Sequence, residues 1–139
     1  MLLMKSFLPA LLLLFSVSGQ AASLQKEPYS PKRFEQLQAS GQVILIDIYA
    51  PWCPTCQKQQ IALEQYRMAN PGKQFTILEV DYDTDREAVK FFRAPRQSTL
   101  LIYRGSQQHW FSVAETRPEV IAAELNNAIN YQYKAKYAH

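Results

Sequence analysis

The chain of 139 residues has only two cysteines, Cys53 and Cys56, and they stand three apart in the stretch "APWCPTC". Two thiols at that spacing can trade electrons as a dithiol/disulfide couple, supply half of a metal site, or close a purely structural staple. The thiolate is the nucleophile of disulfide exchange, so the redox use requires something that ionises one sulfur. If Cys53 is the N-cap of a helix with Pro54 at its first position, its sulfur faces unpaired backbone N–H groups and the positive end of the helix dipole. Cys56, one turn further in, is expected to be more buried and less readily ionised. That asymmetry assigns attack on a partner to Cys53 and resolution of the mixed disulfide to Cys56. Residues i and i+3 share a helix face and lie close enough to bridge.

A resolving thiol must lose its proton, and Asp47 is the acceptor the sequence offers. It is the one charged residue in the apolar run "QVILIDIYA", six positions before Cys53. Burial would raise its pKa and fit it to take a proton near neutral pH. Trp52, next to the attacking sulfur, is expected both to limit its solvation while packing the strand end and to offer substrates a contact surface. His109 reads as a structural or surface histidine, since nothing in its spacing brings it to the cysteines. Tetrahedral zinc usually takes four ligands, and the chain supplies two cysteines without convincing histidine partners.

These side chains need a frame. Ser30 and Pro31 open a short helix in which Phe34 and Leu37 share a face and Gly41 ends the run. "QVILIDIYA" is rich in β-branched residues and reads as a central strand buried on both faces. The helix after Cys53 runs to about Ala69, where "NPGK" stops it. "QFTILEVDYD" is the next strand, and "TDREAVKFF" a short helix with a capping box from Thr84 to Glu87. "STLLIYRG" and "QQHWFSVA", joined at Gly105 and Ser106, form an antiparallel hairpin. A second box, Thr116 to Glu119, starts a closing helix with Ile121, Leu125, Ala128 and Ile129 on its apolar face. The order α-β-α-β-α-β-β-α predicts an α/β fold, a mixed four-stranded sheet with helices on both faces.

The N-terminus speaks to the compartment. Residues 1–21 combine Lys5, an apolar run from Phe7 to Phe15 and small residues Gly19 and Ala21 before an expected cut, the order of a secretory signal peptide. The apolar core is shorter than the roughly 20 residues of a membrane span. Removal leaves residues 22–139 as one domain, sized for a single core. The net charge of +3 includes Lys5 and is too small to argue for nucleic acid. A secreted disulfide scaffold would carry more cysteines than this one pair, so the pair is expected to be used rather than merely structural. The tail "YQYKAKYAH" reads as a fraying helix end.

Taken together, "ILIDIYAPWCPTC" and the later "STLLIYRG" resemble the thioredoxin superfamily over roughly residues 30 to 130. The resemblance implies a thioredoxin fold and thiol–disulfide chemistry on protein disulfides, with Cys53 as nucleophile, Cys56 as resolver and Asp47 as the buried acid. The Pro54-Thr55 insert is similar to that of periplasmic reductants. Two departures stand out. Thioredoxins place a cis-proline before the strand that here reads "TLLIY", and alignment puts Ser98 there, Pro95 falling three residues early. Arg96, Gln97 and Ser98 then form the loop where substrate backbone docks. Thioredoxins also often carry a Lys on the middle strand that pairs with the buried acid, and here the position falls on Glu79. The expected protein is a monomeric periplasmic reductant without a cofactor, fed by a membrane-borne thiol donor. An oxidant, a protein that binds metal or a cluster through sulfurs opened by Ser98, and a non-catalytic adaptor remain alternatives.

Overall fold

The computed structural model describes residues 25–133. The expected leader, residues 1–21, lies outside the described residues, as do the last six residues of the tail. Nine elements follow one another: β1 Glu27–Pro28, α1 Pro31–Ala39, β2 Val43–Tyr49, α2 Pro54–Ala69, β3 Thr76–Asp81, α3 Arg86–Phe91, β4 Thr99–Arg104, β5 Gln107–Val113 and α4 Pro118–Asn130. The sheet order is β1-β3-β2-β4-β5, so the expected four strands gain a fifth. β1 escaped the sequence reading because two residues are too few to show a period. It pairs parallel to β3, with Glu27 beside Leu78 and Pro28 beside Glu79.

β2 is central, parallel to β3 and antiparallel to β4. Its side chains alternate between two cores. Val43 and Leu45 pack with Leu63 and Tyr66 of α2 and with Ile121, Leu125 and Ala128 of α4, and Ile129 adds a partly buried edge. Ile44, Ile46 and Ile48 pack with Phe34 and Leu37 of α1 and with Ala88 and Val89 of α3. Burial on both faces explains why this strand reads as an apolar run. Asp47 follows the parity of Val43 and Leu45, so it points toward α2.

The ends of the elements follow the sequence with two corrections. Ser30 caps α1 through Arg33 N–H, and Gly41 takes a φ of +67° just past its end, the left-handed conformation glycine adopts at least cost. The two capping boxes do not form. α3 is capped by Asp85, whose carboxylate accepts from Ala88 N–H, so an aspartate one residue after Thr84 outcompetes it. α4 has Arg117 at its N-cap with no side-chain cap bond, because Pro118 takes the first helical turn one residue later than expected. α4 stops at Asn130, and Tyr133 lies over Gly41 and Gly105; the rest of the expected fraying end, residues 134–139, lies outside the described residues. A Cβ at Gly105 would clash with that ring.

Candidate active site

Cys53 is the N-cap of α2 and Pro54 follows at the first helical position, as the spacing predicts. The Cys53 sulfur accepts Cys56 N–H at 3.0 Å, so the capping contact is made by the sulfur itself. The two residues form a disulfide, with their Cα atoms 5.2 Å apart. One expectation is corrected here. Cys53 is 1% exposed and Cys56 0%, so burial does not distinguish them. The remaining asymmetry is position, since only Cys53 sits where the orphan N–H groups of α2 point. Ala50 completes the small buried cluster around the pair, with Tyr49 and Tyr82 packed against it.

Trp52 is more exposed than a strand-end packing residue would be. Its ring is 56% exposed, and its Nε1 donates to Asp83 Oδ2 at 2.7 Å. It stands beside the dithiol as an apolar surface held from behind by a carboxylate. Pro54 is exposed as well and Thr55 is half-buried.

Asp47 is fully buried, so it does not point to solvent at a strand end. Gln60 donates to its Oδ2 at 2.9 Å, and Gln60 lies one turn after Cys56 on α2. Asp47 Oδ1 is buried with no hydrogen-bond partner. Burial pushes the Asp47 carboxyl up from 3.8 to about 6, against the opposing pull of Lys26 and of the Gln60 hydrogen bond, with Glu79 adding to the rise. A carboxyl poised there can take a proton near neutral pH.

Glu79 is the parallel register partner of Asp47, as the alignment implies, and a cation lies between them. Lys26 Nζ is 3.6 Å from Asp47 Oδ2 and contacts Glu79 Oε2. The same ammonium stands 4.2 Å from the centre of the Tyr49 ring. Sequence reasoning missed Lys26, which precedes every element it had identified. It also missed Gln59 and Gln60. A polar residue at the helical spacing of Cys56, Gln59, Leu63 and Tyr66, all on the buried face of α2, was the available signal for Gln59.

The loop of Arg96, Gln97 and Ser98 packs on the end of β2 that leads to the dithiol. Ser98 is buried, in the left-handed conformation with φ +62°, and the peptide bonds of the described residues are all trans. Ser98 N–H donates to Ile48 O at 2.8 Å, while its own carbonyl accepts from Ala114 N–H and from Gln59 Nε2 at 3.0 Å. Gln59 also donates to Glu115 O at 2.9 Å, so one buried amide ties this loop and the segment before α4 to α2. Arg96 is exposed and Gln97 half-buried. Pro95 is exposed and outside these contacts. His109 sits half-buried on β5 with its ring 4.6 Å from that of Tyr131. Among the described residues, no three His, Cys, Asp or Glu side chains converge as metal ligands would.

Comparison with known proteins agrees with this geometry. The Thioredoxin family model matches residues 25–128. The chain belongs to the thioredoxin family. It is a thiol–disulfide oxidoreductase of that type, and its two cysteines, Cys53 and Cys56, form a disulfide. Among solved structures, Trxlp from Edwardsiella tarda EIB202 is 38% identical, with a TM-score of 0.67 over 73% of this chain and 98% of that one. A thioredoxin of Halobacterium salinarum NRC-1 shares the fold at 15% identity, with a TM-score of 0.64, over 76% of this chain and 91% of that one. Thioredoxin of Coprinus comatus is 25% identical over 54% of this chain and 71% of its own length. The bifunctional thioredoxin reductase/thioredoxin of Mycobacterium leprae is 27% identical over 53% of this chain, a match that spans 16% of that longer protein.

Proposed function

We propose that this protein reduces disulfides of exported proteins through its Cys53–Cys56 dithiol. The observation that carries the chemistry is the Cys53 sulfur at the N-terminus of α2, with a buried carboxyl under the same helix. In the reduced protein the Cys53 thiolate attacks one sulfur of a substrate disulfide, and the other leaves as a thiolate. Cys56 then gives its proton to Asp47 and attacks Cys53. The Cys53–Cys56 bond forms, the mixed disulfide breaks, and the second substrate sulfur is released. Two electrons pass to the substrate, and a thiol donor must return them.

The export half of the reading rests on the leader-like order of residues 1–21. An exported reductant needs electrons from elsewhere, which points to a membrane-borne dithiol as donor. Trp52 and the loop of Arg96, Gln97 and Ser98 supply the surfaces on which a substrate chain would lie.

The test is the reduction potential of the Cys53–Cys56 couple in a graded dithiol buffer, followed by Trp fluorescence. A value near or below about −200 mV supports the reductant, and one near roughly −120 mV makes the protein an oxidant. N-terminal sequencing of protein recovered from a periplasmic extract addresses export. A chain that still begins at Met1 and stays in the cytoplasm would overturn that half.

A further inference from the structure

The polar surroundings of Asp47 come from three different elements. The residue just before β1 is Lys26, whose Nζ lies 3.6 Å from Asp47 Oδ2 and against Glu79 of β3. α2 brings Gln60, a neutral donor to the same Oδ2, and Cys56 one turn before it. β4 places Leu100 opposite Asp47, which adds no charge. Tyr49, two residues on in β2, lies beneath the ammonium with its ring. The charged groups facing Asp47 are therefore one cation and one carboxylate, both at the solvent-facing side of the cluster. The side chain of Lys26 is 21% exposed and that of Glu79 31%, against 0% for Asp47.

The segment that carries Lys26 is fastened deliberately. Arg33 of α1 donates to both carboxylate oxygens of Glu27, at 2.7 and 3.0 Å, and Tyr29 N–H donates to Glu79 O at 2.8 Å. β1 is too short to hold itself by strand pairing alone, so these contacts fix where the ammonium stands. Asp47 Oδ1 remains without a partner, which leaves one oxygen of the carboxyl free to take a proton.

We propose that Lys26 and Glu79 are positioning residues for the resolving step, acting through Asp47 in opposite senses. Lys26 favours the carboxylate that takes the Cys56 proton, and Glu79 opposes it while anchoring the Lys26 ammonium. This rests on the reading of Asp47 as the proton acceptor. It adds that the segment leading into the edge strand, rather than a basic residue on β3, supplies the cation.

The experiment follows the reduced full chain as it reacts with a nitrobenzoate disulfide reagent. The first release of coloured thiolate reports attack by Cys53, and the second reports resolution by Cys56. The pH midpoint of the second release is compared among variants. Lys26→Met is expected to move it upward, making resolution about tenfold slower below the midpoint. Glu79→Gln is expected to move it downward, with faster resolution in the same range. Lys26→Arg keeps a cation and is expected to stay near the original profile. Circular dichroism confirms that each variant is folded, and the Glu79 variant tests the idea independently if Lys26→Met is not.

Asp47→Asn separates the two levels of the argument. Its loss of the titration, together with opposed shifts in the other two, supports the proposal. Loss of the titration with unmoved or same-direction midpoints in Lys26→Met and Glu79→Gln overturns the proposal alone. An unchanged titration in Asp47→Asn overturns the reading of Asp47 and the proposal with it.

Discussion

Replacing Asp47 by Asn should make the oxidised protein more stable at alkaline pH and leave it nearly unchanged in acid. The carboxyl is fully buried and holds its proton up to about pH 6, against an ordinary value of 3.8. Because the folded chain binds this proton more tightly than the unfolded one, its contribution is fully present below the ordinary value. It is lost as pH rises through about 6. At about 1.36 kcal/mol for each tenfold change in proton affinity, the displacement corresponds to about 3 kcal/mol. Asn carries no charge to desolvate, and its side-chain oxygen can still accept from Gln60. The variant therefore escapes that cost but leaves Lys26 without one of its two partners, which lowers the gain. Urea unfolding between about pH 4 and pH 8 reads the difference between the two proteins. It should grow with pH at up to about 1.4 kcal/mol per pH unit across the window and level off above about pH 7. A difference that stays flat, or that grows toward acid, would refute the reasoning, since neither follows from a carboxyl whose ionisation is opposed by burial.

Two further predictions concern the loop before β4. Ser98→Pro installs the residue that thioredoxins place there, yet it should destabilise this chain by about 3 kcal/mol. Proline has no N–H for Ile48 O and cannot adopt a φ of +62°, while the stiffer unfolded chain returns only about 0.4–1 kcal/mol. Ser98→Gly should stay within about 1 kcal/mol of the original in the same urea titration, and a proline variant equal to it would show that the loop has another shape open to it. Gln59→Leu should cost about 1–2 kcal/mol, because Glu115 O loses its side-chain donor inside the protein while Ser98 O keeps Ala114 N–H. Faster amide hydrogen exchange at Ser98 and Ala114, with β2 unaffected, would locate the loosening in the loop.

Much of the frame was legible because its signals are local. β2 announces itself by β-branched residues on both faces, and α2 by the Cys53-Pro54 start and the stop at Asn70. Ser30 and Gly41 bracket α1 with side-chain and backbone chemistry that acts within one turn. What failed depends on competition or distance. The capping boxes lost to Asp85 and to Pro118, neighbours that the three-residue pattern does not weigh. β1 has no period to detect, and its place is fixed by Glu27 with Arg33 and by Tyr29 with Glu79, contacts that exist only in the folded chain. The same holds for Gln59, whose partners lie 39 and 56 residues away. The equal burial of the two cysteines was missed for another reason, since helix position predicts which sulfur meets the N–H groups but not what covers it.

The site residues that sequence reasoning missed explain the departure it noticed. A glutamate at position 79 stands in parallel register with a buried aspartate, and two carboxylates so placed would each oppose the other's ionisation. Either the charge moves elsewhere or a cation enters. Lys26 enters from the residue before β1 and reaches both carboxylates, so a cation offsets the charge that Glu79 sets beside Asp47. The carboxylate on β3 and the lysine before β1 thus form one ion pair beside Asp47. Glu79→Lys alone would not restore an ordinary thioredoxin pair: it would set two ammonium groups against one buried carboxylate and remove the anchor of Lys26. That coupling is why Glu79 reads as a bare departure in the sequence and as half of an ion pair in the fold.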